Sequence, residues 1–364
     1  MPLITLRVRA STSTGVFYNN TVQTDFLAGN KTVKRSDHDA MCLCRGKGQK
    51  AALMKIVVIG RSGFGKDVLT RLVTGGENVV GVIAPPPQYP GSKADPLAVS
   101  ATGYSLPVCT TKSFKSGTVY HAYRNMKPDL TVLAFVTQIL PKWFLEFPEH
   151  GSICFHPSLL PRHRGANAVG WAILNGETST GLTIFWPDEG IDTGPILLQR
   201  QVPIGDNDTV GSLLISRLFP MGVEAIAEAV SLIKNGDPPR LIQDEILASY
   251  EPPIDDSVSQ IDWNTPTVEI FNKIRACDPQ PGAWTVSAGQ KIRLYASKKL
   301  KMPEFPSHRN GTIVDINDEG VFVKTQNGIL VIGKIRNNEG KKMKALAFAT
   351  ECKMKVGDCF TGLE

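Results

Sequence analysis

A doubly wound α/β domain followed by a small β-barrel is the fold class this sequence predicts, on three observations. Apolar strand-like runs alternate with helix-spaced segments from Met54 onward, the rhythm of βα units. The composition changes at Glu251–Ser257, EPPIDDS, which reads as a linker. Beyond it, short runs separated by turn residues follow closely on one another, as in a barrel. At 364 residues the chain is long enough for two domains with a full core each.

The first run, MKIVVIG, is continuously apolar and suits a strand buried on both faces. RSGFG then reads as a turn, and Lys66–Val73 has helical spacing. Strand Asn78–Ala84, the proline-rich loop PPPQYPGSKADP, the short strand LPVCT and the longer strand Asp129–Val136 come next. Ser152–His156 is a short strand stopped by Pro157. Strands GLTIFW and Ile196–Ile204 lead to a helix over Thr209–Asn235, with Asp206 and Asp208 as candidate caps. After the linker, a helix around Thr267–Arg275 precedes the strands KIRLYAS, GTIVDIN, GVFVKT and ILVIGKIR.

The net charge of +6 is mild and spread out, which permits a polyanionic ligand without indicating nucleic acid. Seven scattered cysteines, an odd number, suit reduced thiols. Cys42-Leu-Cys44 has no second ligand pair at zinc spacing, so no metal site is expected. No uninterrupted apolar run approaches the length of a membrane span, and none is expected. Residues 1–53 are rich in Ser, Thr and Asn, carry Arg7 and Arg9, and have no acidic residue before Asp25. That composition fits either an organelle presequence or an unstructured leader before Met54.

Three constellations compete for chemistry. Gly60-Arg-Ser-Gly-Phe-Gly-Lys66 matches a phosphate loop except that Asp67 stands where magnesium needs a hydroxyl. A tight strand-to-helix turn whose glycines allow close packing is the better reading. The second constellation is His156, delivered to the end of a strand, with Asp192 in the glycine-flanked loop DEGIDTG. A histidine and a carboxylate so placed could form a general acid/base pair, although a lone histidine after a strand is more often structural. Cys154 and His156 share one face of their strand, while Ile153 and Phe155 share the other. The third is Arg162, His163 and Arg164, either a solvated basic loop or a clamp for a ligand's carboxylates.

HPSLLPRHRGANA, the DEGIDTG loop and IRACDPQPGAW (Ile274–Trp284) resemble the formyltransferase-type folate enzymes from Met54 to about Phe348. The likeness is greater to the amino-terminal hydrolase domains of 10-formyltetrahydrofolate dehydrogenases than to methionyl-tRNA formyltransferases. It implies a Rossmann-like formyltransferase domain over 54–255, an OB-like barrel over 256–350 and a tail over 351–364. By the same resemblance His156 is the catalytic histidine, Asp192 the essential aspartate, and Gln138, Ile139 and Leu140 the stretch that holds the folate. The family's transferases carry an asparagine where this chain has Cys154, and a tryptophan before the arginine where it has His163; both departures favour the hydrolase type. Cys154 then becomes a neighbour of the oxyanion side of the site, where a thiol replaces an amide poorly.

The function expected is removal or transfer of the formyl group of 10-formyltetrahydrofolate, the substrate, without metal or NAD(P). The carrier and aldehyde dehydrogenase domains of the family's dehydrogenases are not expected in the residues after the barrel, so oxidation of the formyl group is not expected. The partners implied are a small folate and no membrane. Initiator tRNA belongs to the alternative reading as a methionyl-tRNA formyltransferase, for which the basic residues of the barrel (Lys298, Lys299, Lys301, Arg309, Lys334, Arg336, Lys341, Lys342, Lys344) leave room. A folate-binding module without turnover is the remaining alternative. Cytoplasm or mitochondria are the compartments expected, the leader being weakly presequence-like, and oligomeric state is left open.

Overall fold

The computed structural model describes residues 53–89, 91–300, 308–337 and 340–362; the expected leader over 1–53 lies outside them but for Leu53. The first half alternates strand and helix: β1 (Lys55–Gly60), α1 (Ser62–Thr74), β2 (Asn78–Ala84), α2 (Pro96–Gly103), β3 (Val108–Thr110), α3 (Gly117–Met126), β4 (Leu130–Ala134), α4 (Lys142–Glu146) and β5 (Ser152–His156). Then come the two-residue strand β6 (Arg164–Gly165), α5 (Ala168–Leu174), β7 (Ser179–Phe185), β8 (Ile196–Pro203), α6 (Val210–Leu213) and α7 (Phe219–Lys234), with a π-helical turn over Leu214–Leu218 between the last two. Strand β9 (Tyr250–Glu251) pairs with β6.

The main sheet has the order β3-β2-β1-β4-β5-β7-β8, with β1 to β5 parallel, as in a Rossmann-like domain. Alternation sorts its side chains: Ile56, Val58, Ile153 and Phe155 pack under α1 and α7 with Phe64, Leu69 and Ile226. Val57, Ile59 and Leu133 face the other way, against Val119, Tyr123 and Phe144 of α3 and α4. The strand order reverses between β1 and β4, which places a ligand crevice at the carboxyl ends of those two strands, with β5 next to β4.

One expectation needs correction, and two features go beyond what the sequence showed. Helix α1 begins at Ser62, inside the RSGFG expected as a turn, because the Asp95 carboxylate accepts the Ser62 N–H at 2.9 Å and caps the helix. Strand β7 runs antiparallel to both β5 and β8, so the sheet is mixed. Finally, residues 210–234 are, by length and composition alone, apolar enough to cross a membrane, with a mean hydropathy of 1.4. Their buried stripe of Leu213, Leu218, Ala225, Ile226, Ala229, Val230 and Ile233 belongs to the sheet's core, which makes them a core helix.

The second half comprises α8 (Asp256–Ser259), α9 (Thr267–Ala276), β10 (Ala283–Ser287), β11 (Gln290–Leu300), β12 (Ile313–Asn317), β13 (Gly320–Thr325), β14 (Gly328–Asn337), β15 (Met343–Lys344) and α10 (Ala345–Glu351). Its antiparallel sheet runs β10-β11-β14-β13-β12, with β15 on β14. Residues 358–361 join the two edges: Thr361 exchanges backbone bonds with Val286 of β10, while Asp358 and Phe360 bond to Ile313 and Gly311 at the entry of β12. The sheet thereby rounds into a small barrel with its own core of Ile270, Phe271, Leu294, Val321, Leu330 and Ile332.

Helix α7 crosses β5 at Gly222, where a Cβ would lie 2.5 Å from the Phe155 ring. Alanine is the better helix former by roughly 1 kcal/mol. Overpacking a rigid ring outweighs that gain, so Gly222→Ala should lower stability by about 1–3 kcal/mol in a denaturant titration. A more stable variant would show that the two elements are free to separate.

Candidate active site

Strand β5 delivers His156 to its carboxyl end, 7 % exposed, and the ring is fixed by two contacts. Nε2 lies 2.8 Å from the backbone carbonyl of His163. A carbonyl only accepts, so Nε2 carries a hydrogen and Nδ1 is the nitrogen left for chemistry. Nδ1 faces Oδ2 of Asp192 at 3.5 Å, too long for a direct N–H···O bond. A water or a substrate oxygen could therefore touch both groups.

Asp192 sits on the loop that leaves the end of β7, and the antiparallel course of β7 sets its route. Phe185, its last residue, pairs with Cys154 rather than with His156, so the loop 186–195 departs and returns beside Cys154. Its base is narrow: a Cβ on Gly194 would sit 1.7 Å from the Trp186 carbonyl, so only glycine fits. From there the loop reaches back to His156, and Asp192 adopts a left-handed backbone with φ of 55°. Aspartate tolerates that region better than most residues, and such conformations gather at functional sites. Oδ2 accepts the N–H of Gly165 at 2.8 Å, and the Asp192 carbonyl accepts from the Gln243 amide at 2.8 Å. Oδ1 takes no bond from a described residue.

Cys154 does lie on this side of the sheet. It is half-buried against Leu160, Phe185 and Ile196, and its thiol donates weakly to the Phe155 carbonyl at 3.7 Å. Burial, with the negative charge of Asp192 adding to it, pushes the thiol's pKa far up. Gln138 and Ile139, in the loop after β4, are exposed, whereas Leu140 is buried in the core under α4. A cavity of about 830 Å³ opens between α4 and the 186–190 stretch of the loop, lined among others by Lys142, Leu145, Trp186, Asp188, Glu189 and Gly190. It includes neither His156 and Asp192 nor Gln138–Leu140.

The basic triplet is not the solvated loop that was one of its two readings. Arg162 is exposed and pairs with Glu177. His163 is buried with φ of 56°, its Nε2 2.9 Å from Glu177 and its Nδ1 3.1 Å from Glu251. Its N–H donates to Ser249 Oγ at 2.8 Å, which fixes the carbonyl that His156 uses. Arg164 is fully buried and its guanidinium bonds Glu245, Tyr250 and Gln243. The carboxylates that this triplet clamps thus belong to the chain itself. Glu177, Gln243, Ser249 and Glu251 went unnoticed in the sequence; the only signal was that an acidic and amide-bearing stretch precedes the linker.

The phosphate-loop alternative also meets the chain's own acid. Asp95 occupies the Ser62 N–H that a phosphate would need, and Lys66 is half exposed with Asp67 3.8 Å away. Among the described residues there is no group of three or more His, Cys, Asp or Glu that could hold a metal ion.

Two family models match this geometry's two halves: formyl transferase over residues 54–230 and the formyl transferase C-terminal domain over 253–353. This chain belongs to the formyl transferase family. As a formyl transferase family member it is 40 % identical over 297 residues to the mitochondrial 10-formyltetrahydrofolate dehydrogenase of Mus musculus, matching 80 % of this chain and 31 % of that protein. The chain thus spans about a third of the length of such relatives, which include mitochondrial and cytosolic forms. It is 34 % identical to the methionyl-tRNA formyltransferase of Syntrophus aciditrophicus over 84 % of this chain and 98 % of that one. Among solved structures, HypX from Aquifex aeolicus in complex with tetrahydrofolic acid shares the fold, with a TM-score of 0.64 at 21 % identity over 84 % of this chain and 48 % of that chain.

A thiol held protonated by burial reacts slowly with alkylating agents, because the thiolate is the nucleophile. Iodoacetamide at pH 8 should modify the exposed Cys352 and leave Cys154 untouched, as read by peptide mass spectrometry. Equal labelling of the two would mean that Cys154 is more open than its packing indicates.

Proposed function

We propose that the chain removes the formyl group of 10-formyltetrahydrofolate, with His156 and Asp192 as the catalytic pair. The observation that carries this reading is their placement at the carboxyl end of β5, with Nδ1 facing Oδ2 at 3.5 Å in a chain of the formyl transferase family. The pterin would lie between Gln138–Leu140 and the 188–192 loop, bonded mostly to backbone groups. That a relative in fold is complexed with tetrahydrofolic acid supports a folate in this role.

In this mechanism Asp192 draws a water towards the formyl carbon through Oδ1, the oxygen that no described residue occupies. As the tetrahedral intermediate forms, Nδ1 of His156 takes up a proton and the adjacent carboxylate stabilises the imidazolium. The same Nδ1 then returns the proton to the departing N10. Throughout, Nε2 keeps its hydrogen on the His163 carbonyl, so the ring need not flip. Cys154, beside the loop that carries Asp192, would border the oxyanion, where its thiol is a weak donor. Hydrolysis rather than transfer fits that weak oxyanion contact. Likeness to a methionyl-tRNA formyltransferase along 98 % of its length, at 34 % identity, keeps transfer to initiator tRNA as a second reading, with the barrel as the RNA-binding part.

The test is incubation with 10-formyltetrahydrofolate, following tetrahydrofolate and formate, with and without charged initiator tRNA. Formate release without tRNA supports the hydrolase, and turnover only with tRNA supports the second reading. Asp192→Asn keeps the size and removes the charge, so turnover should fall about 10²–10⁴-fold while folate binding, read by calorimetry, is retained. A variant within about twofold of the wild type would sink the assignment of Asp192, given what general acid/base groups contribute.

A further inference from the structure

We infer that Gln243 is a positioning residue: its amide holds the Asp192 loop so that the carboxylate faces His156. The inference rests on the reading of His156 and Asp192 as the working pair. Gln243 lies in the connection between α7 and the barrel and is only 5 % exposed. Its amide nitrogen donates to the Asp192 carbonyl at 2.8 Å and to the Gly194 carbonyl at 2.7 Å. Its amide oxygen accepts two bonds from Arg164, Nε at 3.1 Å and Nη2 at 2.9 Å. An amide offers two donors and two acceptor sites, and all four are used.

The direction of each bond matters. Guanidinium only donates, so it compels the amide oxygen to face Arg164 and the NH₂ to face the two carbonyls. Arg164 is itself held at 0 % exposure, by Glu245 through paired bonds of 2.7 and 2.9 Å and by the Tyr250 hydroxyl at 2.6 Å. The next residue, Gly165, gives its N–H to Oδ2 of Asp192 at 2.8 Å. One dipeptide therefore grips Asp192 twice, directly at the carboxylate and through Gln243 at the carbonyl. Two anchored points fix the left-handed turn at φ of 55° and leave the carboxylate little freedom to rotate away. Without Gln243, one half-buried carbonyl, one buried carbonyl and the guanidinium lose partners, and of the two hydrogen bonds that anchor Asp192 only the one from Gly165 remains. A carboxylate displaced by an ångström loses much of its catalytic value.

The experiment reads the hydrogen bond that Asp192 makes, independently of any activity. Amide exchange is measured by NMR on the full chain as wild type, Gln243→Leu and Gln243→Glu, and formyl release is measured on the same samples. The glutamate keeps one oxygen on Arg164 but turns the other against two carbonyl oxygens, so the fold is retained while the grip on the loop is lost. The expected result is exchange at Gly165 N–H faster by about tenfold or more in both variants, with Arg164 N–H, bonded to the Ser249 carbonyl, changed less than about threefold. In parallel, kcat should fall about tenfold or more. Gly165 exchange unchanged in a folded variant overturns the inference whatever the activity, and so does equal acceleration at Gly165 and Arg164, which would mark a merely structural role. If Gly165 responds as expected but the wild type releases no formyl group, the positioning stands and the assignment of the site's chemistry fails.

Discussion

The hydrogen bond from His156 Nε2 to the His163 carbonyl constrains everything around it, because a carbonyl accepts and never donates. It assigns the ring proton, fixes the ring plane and leaves Nδ1 towards Asp192 without any charge being needed to do so. The carbonyl in turn must be held still. His163 achieves this with a left-handed backbone, an N–H bonded to Ser249 and a ring buried between Glu177 and Glu251. Leaving a donor or acceptor of such a set without its partner costs roughly 1–3 kcal/mol, so the carbonyl is held in one place.

Asp192 is secured from the opposite direction by the same stretch of chain. Residues 243–251, which precede the barrel, run behind the loop that follows β5 and touch it at His163, Arg164 and Gly165. The connection between the two halves is thus also the brace of the candidate site. Helix α5, which begins just after that loop, packs at Gly170 on Ala276 of α9 and on Ile254 of the linker, and the Trp171 indole donates to the Pro252 carbonyl. Distortion of the barrel's attachment would therefore be felt at His156 through a few rigid contacts.

Much of this was legible because it follows from local chemistry. Apolar runs such as Lys55–Gly60 and Asn78–Ala84 announce buried strands, Pro157 announces where β5 must stop, and the resemblance in HPSLLPRHRGANA and DEGIDTG singles out His156 and Asp192. What was not legible depends on partners distant in sequence. The start of α1 is set by Asp95, 33 residues away, and no local rule supplies that cap. Whether β7 runs parallel or antiparallel is not written in its alternation. The burial of His163 and Arg164 depends on Glu251 and Glu245, 88 and 81 residues on, so a basic triplet that reads as exposed folds inward. Gln243 is silent for the same reason: an amide's role lies in which four groups it meets.

The antiparallel course of β7 gives the candidate site a modular character. A crossover between parallel strands would tie the Asp192 loop to a helix and to the packing of the sheet's face. Here the loop closes a hairpin whose two arms, β7 and β8, are already zipped together from Phe185–Ile196 to Ser179–Pro203. Its tip can be lengthened or rewritten between Pro187 and Ile191 at a loop-closure cost that grows by only about 0.6 kcal/mol for each doubling of length. The ladder beneath, and the bonds from Gly165 and Gln243 to Asp192, involve no residue of that tip. Such a site can reshape the border of its proposed folate slot, by evolution or design, in one short segment while the histidine, its carbonyl and the sheet stay as they are.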